Sequence, residues 1–166
     1  IKEFLSALEA VDGLRVIFTM PNSDTGRDVI ADAIADYVDR HPGTSKAFAS
    51  LGLRRYLSAL HYAKAAVGNS SSGIIEVPSF GIPSLNIGDR QKGRLASESV
   101  VNCGTGKDDI LKGLRLCLSP EMRRRAKNAD NPYAKDGTAS LILDRLKHAD
   151  LAALRTKHFY DIPVKG

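Results

Sequence analysis

The sequence predicts an α/β protein: a parallel sheet with helices on both faces. Short apolar runs rich in β-branched residues alternate with segments whose apolar residues recur at helical spacing. The stretches between runs reach about ten residues or more, as crossovers between parallel strands require. A chain of 166 residues, 43% of them hydrophobic, supplies the core of one domain, and a single domain over residues 1–166 is expected.

The elements follow in order. Ile1 opens the chain without an initiator methionine, in a helix already under way, so a piece of a longer protein is expected. Residues 14–20 (LRVIFTM) predict a strand covered on both faces. A helix over residues 26–40 places Ile30, Ala33, Ile34, Tyr37 and Val38 inward. Asp28, Asp32 and Asp36 form its opposite stripe; like charges at that spacing repel and no histidine joins them, so solvent rather than a metal is expected there.

Residues 45–51 read as the next strand, and Leu53, Tyr56, Leu57, Leu60 and Ala63 as one face of a helix. A strand at 65–68 leads into a helix starting in the serines, kept short by Pro78 and Pro83. Strands at 82–87 and 99–102 come next. The rest is helical: Ile110, Leu111, Leu114, Cys117 and Leu118 share one face, and Ala139, Ile142, Leu143 and Leu146 another, with Thr138 as N-cap. Such a series predicts a Rossmann-like layer, whose ligands sit beyond the carboxyl ends of the strands. The loops after Met20, Leu51, Gly68 and Ile87 are therefore the ones that matter.

Composition narrows the function. No apolar run approaches the roughly 20 residues that cross a bilayer, and IKEFLSALEA lacks the basic start and apolar stretch of a signal peptide, so a cytoplasmic protein without a membrane partner is expected. Cys103 and Cys117 have no metal or redox spacing and read as buried free thiols. The net charge is +5, but Arg123, Arg124, Arg125 and Lys127 have no interleaved aromatics for base stacking; a solvated helix face, not nucleic acid, is expected. Gly104-Thr105-Gly106-Lys107 fails as a phosphate loop because Val101 replaces its first glycine and Asp108 its Ser/Thr. Asp109 likewise spoils a dinucleotide fingerprint. His41, His61, His148 and His158 show no nucleophile partner.

The remaining loops carry chemistry. Asn69-Ser70-Ser71-Ser72-Gly73, entering a helix, offers amides and hydroxyls to an anion, and Gly73 permits close approach to the backbone. A capping serine in a tight turn is the alternative. Glu76 lies between Ile75 and Val77, where an unpaired carboxylate is costly to bury. Two ribose hydroxyls would suit it, as would a salt bridge or partial exposure. Gly88-Asp89-Arg90-Gln91-Lys92-Gly93-Arg94 holds three cations between glycines; Arg90, nearest the strand end, has the fork for bidentate phosphate binding, with a solvated loop as the alternative.

Residues 67–76 (VGNSSSGIIE), followed by 83–94 (PSLNIGDRQKGR), closely resemble the UDP-N-acetylglucosamine 2-epimerase family, and GDRQKGR resembles its hydrolysing branch. The similarity runs from the first strand to about Lys147. It implies the C-terminal, UDP-binding half of a two-domain enzyme of glycosyltransferase-B architecture. By the same resemblance Ser70 and Ser71 match diphosphate-binding serines, with Ser72, Gly73 and Arg94 as secondary candidates. Glu76 matches the ribose carboxylate, Arg90 the loop arginine and Asn22 a residue lining the nucleotide cleft. Uracil is expected near the backbone of Ser50 and Leu51.

The family expels UDP from the sugar through a 2-acetamidoglucal, and hydrolysing members add water to release N-acetylmannosamine for sialic-acid-type sugars. The resemblance implies no cofactor and no metal. It also implies that the catalytic acids lie in the N-terminal domain, so that this chain alone binds UDP weakly and turns nothing over. Residues 151–166 resemble a tail that crosses to that domain; homo-oligomerisation is left open. A glycosyltransferase donor domain and a noncatalytic nucleotide-binding module are the competing readings, and GDRQKGR fits the epimerase better.

Overall fold

The structure, a computed structural model, describes residues 1–20 and 27–156. Its contacts divide the chain into two units, Ile1–Ala134 and Lys135–Gly166. The five strands among the described residues belong to the first unit.

That unit opens with α1 (Lys2–Glu9), which buries Leu5, Ala7 and Leu8. Strand β1 (Val16–Thr19) follows, then α2 (Arg27–Arg40), β2 (Ser45–Phe48) and α3 (Gly52–Tyr62). After them come β3 (Ala66–Gly68), the one-turn α4 (Ser72–Ile75), a 3₁₀ turn at Val77–Phe80, β4 (Ser84–Ile87) and β5 (Val100–Cys103). Two helices close the unit: α5 (Lys107–Leu118) and α6 (Pro120–Asn128). Proline at the first position of α6 costs no hydrogen bond there, and the Ser119 hydroxyl accepts the Met122 amide at 3.2 Å as its cap.

All pairings are parallel, which gives the Rossmann-like α/β layer. Val16 pairs with Ser45 in the β1–β2 sheet; in the β3–β4–β5 sheet Ala66 pairs with Ser84 and Ser84 with Val100. Where one sheet was expected, no ladder joins β1 to β3 among the described residues. A shared core unites the two sheets instead, running from Leu5, Leu8, Phe18, Ile34 and Tyr37 to Leu85, Ile110, Leu114 and Cys117. Within it Phe18 meets Tyr37 edge-on at 5.4 Å, a geometry suited to the ring quadrupoles.

Three further expectations need correction. Strand β1 is covered on one face only: Phe18 turns into the core, while Ile17 is 58% exposed beside Lys46 and Thr19 lies exposed beside Phe48. On α3, Leu53 is 67% exposed, so the inward stripe narrows to buried Leu60 with half-buried Tyr56, Leu57 and Ala63. In the second unit Thr138 begins α7 (Thr138–Lys147) but does not cap it; its hydroxyl donates to the Lys135 carbonyl at 2.7 Å. The apolar face of α7 exists as read, with Ile142, Leu143 and Leu146 exposed.

The strand expected over 45–51 ends at Phe48, and of the two cysteines Cys117 is buried while Cys103 is only half-buried. Asp28, Asp32 and Asp36 are exposed along α2, as are Arg123, Arg124 and Arg125 along α6, where Arg125 meets Glu98 at 3.3 Å. Both cysteines are free. Among the described residues no helix is long and apolar enough to cross a membrane.

Candidate functional site

The carboxyl edge of the β3–β4–β5 sheet is built from two loops. The first leaves β3 at Gly68 and runs through Asn69, Ser70 and Ser71 into α4. Its internal bonds sort the anion donors. The Gly73 amide donates to the Ser70 carbonyl at 3.1 Å and the Ile74 amide to that of Ser71 at 3.0 Å, while the Ser72 amide reaches the Ser70 hydroxyl at 3.4 Å. Those amides are occupied, contrary to the expectation of a row of free ones. The amides of Ser70 and Ser71 make no hydrogen bond among the described residues. Ser71 stands at the N-cap position, yet its hydroxyl makes no capping bond, so helix capping does not account for it.

Ser72 is different: its hydroxyl is hydrogen-bonded to the Tyr56 phenol, which α3 brings across. Burial, joined by the nearby Glu76 charge, raises the pKa of that phenol against the opposing effect of the Ser72 bond. Tyr56 therefore stays protonated well past neutrality. Gly73 has a packing role, because a Cβ there would point at the buried Ser84 hydroxyl of β4.

Glu76 follows α4 and is half-buried; its carboxylate accepts no hydrogen bond among the described residues. The backbone before it is held from a distance. Asn131, beyond α6, donates from Nδ2 to the Ile75 carbonyl at 2.9 Å and to the Ser79 hydroxyl at 2.7 Å. Bonds of this kind satisfy carbonyls that a one-turn helix leaves without partners.

The second loop leaves β4 through Gly88, whose φ of 74° lies in the left-handed region glycine tolerates. Two turns follow, closed by the Lys92 amide on the Asp89 carbonyl at 3.0 Å and the Arg94 amide on the Gln91 carbonyl at 3.3 Å. Arg90, Lys92 and Arg94 are exposed, and Gln91 between them is buried. Gln91 Nε2 donates to the Asn69 carbonyl at 2.8 Å, tying the basic loop to the serine loop.

The structure thus brings Ser70, Ser71, Ser72, Gly73 and Glu76 into one short segment and ties to it the loop of Arg90 and Arg94. Ser50 and Leu51 stand at the end of the β2 connection, where the Ser50 hydroxyl accepts the Gly52 amide at 3.1 Å. Asn22 lies outside the described residues. Sequence reasoning missed Tyr56, Gln91 and Asn131 as parts of the site. The hydroxyl of a tyrosine on an otherwise apolar helix face was the one available signal for the first. No group of His, Cys, Asp and Glu among the described residues could hold a metal ion.

A parallel α/β layer with hydroxyls, a half-buried carboxylate and a basic loop at its carboxyl edge defines a Rossmann-like domain. Within that class, the chain belongs to the UDP-N-acetylglucosamine 2-epimerase family, whose profile matches residues 1–147. It is 35% identical over 163 residues to the GDP/UDP-N,N'-diacetylbacillosamine 2-epimerase (hydrolyzing) of Campylobacter jejuni, covering 98% of this chain and 42% of that protein. It is 33% identical over 168 residues to the polysialic acid biosynthesis protein P7 of Escherichia coli, again with 98% and 42% covered. The crystal structure of UDP-GlcNAc 2-epimerase from Neisseria meningitidis bound to UDP-GlcNAc matches with a TM-score of 0.69 at 15% identity, over 90% of this chain and 41% of that one, a likeness of fold. The chain spans about 42% of the length of these curated relatives.

Proposed function

We propose that the chain is the UDP-binding half of a hydrolysing 2-epimerase that acts on a UDP-linked 2-acetamido sugar. The observation that carries this reading is the Gln91 bond to the Asn69 carbonyl, because it gathers hydroxyls and cations at one sheet edge. Ser70 and Ser71 bind the diphosphate with their hydroxyls and amides, Arg90 and Arg94 neutralise it, and Glu76 accepts the ribose hydroxyls. Asn22 lines the cleft and the backbone near Ser50 and Leu51 meets uracil. Ser72 and Gly73 shape the loop.

In the complete enzyme, a base outside this chain removes the proton at sugar C2 while the C1–O bond to UDP breaks, leaving a C1=C2 double bond. Water then adds across it to give the 2-epimeric free sugar, N-acetylmannosamine when the substrate is UDP-N-acetylglucosamine. The task of this half is to stabilise charge developing on the departing diphosphate with donors already in place. Family membership and the likeness to P7 support a role in bacterial sialic-acid-type sugar synthesis in the cytoplasm, with the N-terminal domain as partner and no membrane or nucleic acid involved. By itself the chain, read as one domain whose residues 151–166 reach toward that partner, binds UDP without turning over UDP-sugar.

Calorimetric titration with UDP and ADP tests the reading. UDP is expected to bind selectively, and Glu76→Ala to weaken it by about 1–3 kcal/mol, the usual loss for a charged hydrogen-bond partner. Equal affinity for the two nucleotides, or a Glu76→Ala variant that binds UDP like the wild type, would sink it.

A further inference from the structure

We infer that Gln91 is a positioning residue that couples the basic loop to the serine loop, so that cations and hydroxyls reach a diphosphate as one prearranged unit. The inference rests on the nucleotide-diphosphate reading above. From Asp89 to Ala96 every residue is exposed except Gln91, which is 5% exposed. Gln91 thus anchors the loop from its middle. Its Nε2 donates to the Asn69 carbonyl at 2.8 Å, across 22 residues of sequence. Its Oε1 is buried without a partner.

The opposite orientation of the amide would set two acceptors against each other, so the carbonyl of Asn69 determines which end points toward it. An orphaned buried acceptor costs as much as one neutral hydrogen bond returns, or more. Net stability is thus a poor reason to bury this amide. What the bond supplies is register: it fixes the turns holding Arg90, Lys92 and Arg94 relative to Ser70 and Ser71. Binding gains when donors need no rearrangement, because the ordering cost has been met during folding.

The test compares the affinities of UDP and uridine, whose ratio isolates the diphosphate contribution, in the 166-residue chain. Gln91→Met keeps the length of the side chain and removes the donor. It is expected to lower UDP affinity about tenfold, the scale of one lost hydrogen bond, while uridine affinity and melting temperature stay near wild type. Gln91→Glu is expected to bind UDP poorly at pH 7 and to recover, relative to wild type, as acid protonates the carboxyl and restores a donor toward Asn69. A packing role would lower UDP and uridine affinity together in Gln91→Met.

A wild-type UDP-to-uridine ratio in Gln91→Met overturns the inference, as does a parallel loss of both affinities with melting temperature. If Gln91→Met does not fold, the Gln91→Glu profile decides, and a pH response equal to that of wild type overturns it. A wild-type chain with no preference for UDP over uridine overturns the diphosphate reading itself, and the inference with it.

Discussion

Gly73 and Ser84 approach so closely that a methyl group at position 73 would meet the Ser84 hydroxyl at 2.7 Å. The absence of a side chain at 73 lets α4 lie directly on the buried centre of β4. That seating sets the depth of the serine loop above the sheet edge.

Gly73→Ala is therefore expected to destabilise the chain by about 1–3 kcal/mol, the range for overpacking a filled site. Pairing it with Ser84→Ala removes the opposing hydroxyl and recovers part of the loss, as neighbours that share one space are not additive. Urea titration of the two single variants and the double variant measures this coupling. Strict additivity would show that the clash is relieved elsewhere.

Tyr56→Phe removes the bond to Ser72 and is expected to cost about 0.5–1.5 kcal/mol in urea titration at neutral pH. Because the pKa of the phenol is raised by burial first and by Glu76 second, its contribution is complete below the unfolded value and is lost as pH rises through the higher folded one. The stability difference between wild type and Tyr56→Phe should shrink above about pH 10. A difference that grows in alkali would contradict this placement of the hydroxyl.

Burial pushes the Cys117 thiol up to about 12, with Cys103 adding to the effect. A thiolate is the reactive form, so Cys117 should resist iodoacetamide at pH 8 in the folded chain and label readily in denaturant. The stability that the neutral thiol contributes is intact below the unfolded thiol pKa and falls between there and about 12, by up to about 1.4 kcal/mol per pH unit. Cys117→Ala should lack that component. Equal labelling rates in the folded and denatured chains, read by mass spectrometry, would refute the burial argument.

What could be read from the sequence was local. Residues such as Val16, Phe18 and Leu85 declare strands through side-chain shape, and Ser70, Ser71 and Arg90 mark the candidate site by standing just beyond strand ends. Long-range partners were not legible. The Tyr56–Ser72, Gln91–Asn69 and Asn131–Ile75 bonds span 16, 22 and 56 residues, and no periodicity reports who will lie opposite whom. Ile17 shows the same limit, since a β-branched residue favours a strand without specifying whether a helix covers that face.

Two of the long-range ties at the site, from Gln91 and from Asn131, end on main-chain carbonyls, those of Asn69 and Ile75. A carbonyl is common to every residue type. Positions 69 and 75 can therefore exchange side chains without untying either bond, whereas 91 and 131 cannot. Mutational freedom along these two bonds is asymmetric: positions 69 and 75 are open to retuning, and the constraint falls on the side-chain amides at 91 and 131.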